Sequence, residues 1–140
     1  VNSKRFLLLG MVAIMALGQR CELPVPGDNP PATQDIELDE GDNGSTILAP
    51  VSSRIIVTLV SNASTGYQWE LGELDQSILE NTDWEFVPPD VMMPGAPGSE
   101  IWEFTARSAA TTTLRLEYRR PWESQQVDPA DTFTVTVTVQ

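Results

Sequence analysis

From Thr132 to Val139 the chain alternates without a break. Phe133, Val135, Val137 and Val139 are apolar, and Thr132, Thr134, Thr136 and Thr138 are polar. A period of two puts all four apolar side chains on one face of an extended strand, and β-branched residues suit that backbone. A helical period of 3.6 would instead scatter the valines around a cylinder. The same rhythm recurs upstream, with Trp102, Phe104 and Ala106 set against Glu103, Thr105 and Arg107. Between Thr113 and Arg119 it places Leu114, Leu116 and Tyr118 inward. The short connection Ser108-Ala109-Ala110 suggests that these two strands pair with each other.

Earlier strands carry weaker marks. Ile36 and Leu38 alternate with acidic neighbours, and Arg54 to Ser61 reads as a central strand apolar on both faces. Tyr67, Trp69 and Leu71 share one side of a further strand, with Trp69 read as core. A short turn is expected over 75–81, then a strand at Trp84-Glu85-Phe86-Val87 ended by Pro88-Pro89. About seven or eight short strands without a helical pattern predict an all-β fold, an antiparallel immunoglobulin-like β-sandwich. Loops of such a sandwich gather at its two ends, so those at 62–66, 91–99 and 119–124 are candidates to emerge together.

The chain divides into three parts. Residues 1–21 read as an export signal, with Lys4-Arg5 ahead of an apolar run from Phe6 to Leu17 that suits a signal-peptide core. Ala16-Leu17-Gly18 supplies small residues for cleavage. Cys21 invites a bacterial lipoprotein reading, against which Gly18-Gln19-Arg20 is a poor lipobox, so lipid attachment stays open. Residues 22–32, with Pro24, Pro26, Pro30 and Pro31, read as a tether, and 33–140 as the folded domain. The expected location is outside the cytoplasm: periplasmic, attached to the cell envelope or secreted.

Composition excludes several functions. There are 8 basic and 20 acidic residues, a net charge of −12. Lys4, Arg5 and Arg20 lie in the leader, leaving the rest more acidic still. A domain of this charge repels nucleic acid and anionic membrane, so neither is an expected partner, the membrane entering only through a lipid on Cys21. Self-repulsion favours a monomer. With 0 His, neither a Ser-His-Asp triad, a Cys-His pair nor a His-ligated zinc site can form within the chain. The single Cys21 allows no internal disulfide and no cysteine-rich cluster, and no cofactor or metal is expected. Asp39-Glu40-Gly41-Asp42-Asn43-Gly44-Ser45 resembles a calcium loop, but Gly41 and Pro50 stand where the EF-hand spacing needs ligands, so a turn is expected.

Three loops carry the functional reading. Asn62-Ala63-Ser64-Thr65-Gly66-Tyr67 joins two strands, its polar side chains able to bond nearby backbone and Gly66 free to take a positive φ. Val91 to Ser99 holds Met92, Met93 and the run Gly95-Ala96-Pro97-Gly98; methionine suits adaptable contact surfaces, unless both pack inward. The third loop holds Arg120-Pro121-Trp122. Together these resemble the chagasin family of cysteine-protease inhibitors. Asn62 to Tyr67 followed by Trp69 is similar to its Asn-Pro-Thr-Thr-Gly-Tyr/Phe motif. The glycine-rich run ahead of Trp102 resembles its second motif, and Arg120-Pro121-Trp122 reproduces its third. The resemblance spans roughly residues 33–140.

That resemblance implies reversible inhibition of papain-like cysteine proteases by a wedge of three loops, and no enzymatic activity. Ser64 and Thr65 would meet the nucleophilic cysteine and its histidine. Gly95–Gly98 would lay backbone against substrate-binding strands, and Trp122 would stack on an aromatic side chain of the protease. Ala63 and Ser64 depart from the family's Pro and Thr, which implies a looser loop and reduced affinity or altered preference. Asn62-Ala63-Ser64 and Asn43-Gly44-Ser45 also fit the N-glycosylation pattern, and a glycan on Asn62 would block the wedge. The alternative is an immunoglobulin-like envelope module for adhesion or scaffolding, in which Trp122 would be packed into a core or interface. A carboxylate-based hydrolase would instead need paired acids in a deep pocket.

Overall fold

The computed structural model describes residues 33–140, apart from 92, 124 and 125. The expected leader, the tether and Cys21 lie outside the described residues. Eight strands form: β1 (Asp35–Leu38), β2 (Thr46–Ala49), β3 (Arg54–Ser61), β4 (Gln68–Leu71), β5 (Leu79–Val87), β6 (Gly98–Ala106), β7 (Thr111–Arg119) and β8 (Asp131–Val139). They make two four-stranded sheets, in the orders β1-β3-β6-β5 and β2-β8-β7-β4.

Alternation builds the core between the sheets. Ile55, Val57 and Leu59 of β3 and Trp102 and Phe104 of β6 face Leu114 and Leu116 of β7 and Phe133, Val135 and Val137 of β8, all buried. Each such side chain contributes roughly 1.5–3 kcal/mol by leaving water. Trp69 joins them from β4, as expected.

Several strand expectations need correction. β6 and β7 do not pair: β6 lies between β3 and β5, and β7 between β4 and β8. The link after β6 crosses from one sheet to the other, for Arg107 N–H donates to the Ile78 carbonyl while Val139 N–H donates to that of Ala110. The sandwich is not wholly antiparallel either, since the edge strands β1 and β2 join β3 and β8 in parallel. β3 buries only one of its two apolar faces, and Val60 on the other is 51% exposed. The turn expected over 75–81 closes where the Ile78 and Leu79 N–H groups donate to the Asp75 carbonyl, and β5 begins at Leu79, earlier than its Trp84 signal. Asp39 to Ser45 is a turn, with one 3-10 turn (Glu40–Asp42) whose cap pairs Asp39 and Asp42 reciprocally.

Strand directions decide where the loops go. β3, β5 and β7 end, and β4, β6 and β8 begin, at one pole, because Ser61 pairs with Gly98, Val87 with Ser99 and Gln68 with Arg119. The described residues of segments 62–67, 88–97 and 120–130 therefore all emerge there. The far pole holds both limits of the domain: the Gln34 carbonyl accepts from Arg54 N–H, and Gln140 bonds the backbone of Ala49 and Val51.

Candidate functional site: a three-loop edge

The first loop is one 3-10 turn (Ala63–Thr65) capped by Asn62. The Asn62 carboxamide oxygen accepts from Ser64 N–H at 3.2 Å and from the Ser64 hydroxyl at 2.6 Å. The Thr65 hydroxyl donates to the Asn62 carbonyl at 2.7 Å. Gly66 closes the turn at φ 77, the left-handed conformation that glycine adopts without steric cost. Stiffness expected to be missing with Ala63 is thus supplied by side-chain bonds to backbone. Ser64 spends its hydroxyl inside the loop.

The second loop turns at Gly95, whose φ is 82. The Asn62 carboxamide nitrogen donates to the Gly95 carbonyl at 3.2 Å, tying the first loop to the second. Met93 is 66% exposed, so it does not pack inward; Met92 lies outside the described residues. Ala96 is half-buried and Pro97 exposed. Gly98 departs from expectation. It is buried at the start of β6, and an added Cβ would stand 2.4 Å from the Val87 carbonyl oxygen. Its missing side chain lets β5 and β6 close on each other; it is not part of the exposed edge.

The third loop leans on the first. Arg120 Nε donates to the Thr65 carbonyl at 3.3 Å, and its guanidinium lies 4.4 Å from the centre of the Tyr67 ring. Pro121 is exposed, and Trp122 is 71% exposed with its ring laid against Gly66. A Cβ on Gly66 would come within 2.2 Å of the Trp122 ring. Tyr67 stacks on Tyr118 at 5.3 Å, Tyr118 meets Trp69 at 5.0 Å, and the Tyr118 hydroxyl accepts from Asn62 N–H.

Direct contacts therefore join Asn62, Thr65, Gly66, Tyr67, Gly95, Arg120 and Trp122, with Ala63 and Ser64 exposed at the tip. Thr65 and Trp122 share one pole, with Trp122 outside any core. Sequence reasoning missed the part of Tyr118, which alternation marks only as inward-facing. It also missed Glu100, a buried carboxylate on a strand otherwise read by its aromatic residues.

Residues 49–137 match the family described as "Chagasin family peptidase inhibitor I42". Chagasin of Trypanosoma cruzi is 31% identical over 103 residues, covering 71% of this chain and 93% of its own. The chain belongs to the chagasin family. Another relative, amoebiasin-2 of Entamoeba histolytica, is 28% identical over 104 residues, 74% of this chain and 84% of its own. The crystal structure of a cysteine protease inhibitor from Entamoeba histolytica superposes with a TM-score of 0.71 at 25% identity, covering 79% of this chain and 100% of that one. Chagasin-family proteins are inhibitors and not enzymes, and the two-sheet sandwich is the fold they share.

Proposed function

We propose that this protein inhibits papain-like cysteine proteases reversibly by inserting the Asn62–Tyr67 turn into the catalytic cleft. The flanking segments Gly95–Pro97 and Arg120–Trp122 would grip its two sides. The observation that carries this reading is the mutual bonding of three loops into one protruding edge, with Trp122 held open against Gly66. A rigid edge loses little conformational entropy on docking, and Trp and Arg are the commonest energetic anchors of interfaces. The exposure of Trp122 disfavours the adhesion or scaffolding module, which would pack it away. The Lys4-Arg5 start and the apolar run after it support export to the envelope or beyond, and the acidic surface supports a monomer.

Titration of papain with the purified protein should give tight inhibition, with the inhibitor recovered uncleaved. Trp122→Ala should weaken inhibition by about 2 kcal/mol or more while leaving the thermal transition unchanged. Full inhibition by that variant would remove Trp122 from the mechanism, and no inhibition by the parent would remove the function.

A further inference from the structure

Beneath the three-loop edge, residues of β4, β5 and β6 line a cavity together with the loops. The cavity there has a volume of about 400 Å³. Tyr67, Trp84, Phe86 and Trp122 form its walls, and Glu100 lies at its floor. Trp84 is 48% exposed although it sits on the inward face of β5, opposite Trp102. Glu100 is 1% exposed. Every hydrogen bond it makes is accepted: from the Ser61 hydroxyl at 2.6 Å, Trp69 N–H at 3.1 Å and Trp84 Nε1 at 2.9 Å.

Donors stabilise a carboxylate taken out of water, and a cation placed beside it adds a charge-assisted bond that neutral donors do not. None of this domain's arginines supplies that cation. Arg54, Arg107, Arg115, Arg119 and Arg120 pair instead with Asp35 and Glu103, Glu80, Glu117, Glu117 and Glu123. Around the same carboxylate stand aromatic faces, which attract cations through their negative centres. A flat guanidinium fits both features, stacking on rings while donating to a carboxylate, where an ammonium would act only as a point charge. The edge already seats one guanidinium in this manner, that of Arg120 on Tyr67.

We infer that this cavity is a specificity pocket for an arginine side chain carried on the rim of the target protease's cleft. The inference rests on the inhibitory reading above, because the pocket's mouth is bordered by Gly66 and Trp122 of the docking edge. Arginine would enter between Trp84 and Trp122 and reach toward Glu100. Targets bearing arginine at that place would be held more tightly than those bearing a neutral residue.

The probe is N-acetyl-arginine amide added to the full chain, with N-acetyl-citrulline amide as its neutral isostere. The indole Nε1–H resonance of Trp84, which points at Glu100, reports occupancy. Arginine amide should shift it saturably, citrulline amide should bind about tenfold more weakly or worse, and Trp84→Ala should abolish saturable shifts at the remaining indoles. Glu100→Gln, if it folds, should bring the two probes to equal affinity. Absence of saturation, or equal binding of both probes to the parent protein, overturns the pocket. Papain titration is read separately. Probe binding without inhibition overturns the proposed function and leaves the cation site standing, whereas inhibition without probe binding does the reverse.

Discussion

Two glycines of the site, Gly66 and Gly95, both have positive φ yet do different work. Gly66 has Trp122 lying on it, and Gly95 has nothing within 4 Å of where a Cβ would be. Alanine at either position carries the left-handed backbone cost of roughly 1–2 kcal/mol. Only Gly66→Ala should also push the indole away and weaken inhibition well beyond Gly95→Ala. Denaturation midpoints paired with inhibition constants test this; equal losses of inhibition would show that the Trp122 seat is irrelevant. Gly66 was legible as a turn glycine because small polar residues surround it between two apolar strands. Gly98 was not, since a glycine needed for close approach looks the same whether the approaching backbone belongs to another molecule or to the next strand. Ala63 shows a similar limit. The missing proline is visible in the sequence, but the bonds of Asn62 that replace its stiffness appear only in three dimensions.

At the scale of elements, β6, β7 and β8 were readable because apolar residues recur at every second position over most of each nine-residue strand, although Glu100 and Ile101 break the pattern in β6. Their sheet membership was hidden. Opposed strands across a core and neighbouring strands within a sheet both turn their apolar face inward, so Ser108 to Ala110 passed for a hairpin. β1, four residues long, is too short for periodicity to declare its direction, and β2, of the same length, is not marked as a strand by the sequence at all. β1 depends on pairing with β3, to which the Asp35–Arg54 ion pair adds a side-chain clamp. The hydrogen bond from Arg54 holds the Asp35 carboxyl below its ordinary value of 3.8. A lowered folded-state value means that the clamp is present above 3.8 and is lost as pH falls through the lowered value. Titration followed by NMR should therefore show Asp35 protonating below the ordinary aspartate range, with the β1 amide shifts moving in step. Arg54→Ala should return Asp35 to that range; an unchanged titration would show that the pair is not formed in solution.

For the whole molecule, the decisive property is polarity along the strand axis. Alternation predicted a sandwich, and the gathering of three loops at one end followed from strand order, which composition cannot reveal. Among the described residues the opposite end holds Gln34 and Gln140, stitched to the backbone around residues 49–54. That placement makes the far end a natural handle. Protein coupled to a solid support through Gln140 should capture papain as fully as it does when free, because attachment there leaves the gripping end facing outward. Coupling through a cysteine placed at Pro97, with Cys21 replaced by Ser, should abolish capture, and equal yields from both orientations would mean that proteases are gripped somewhere else.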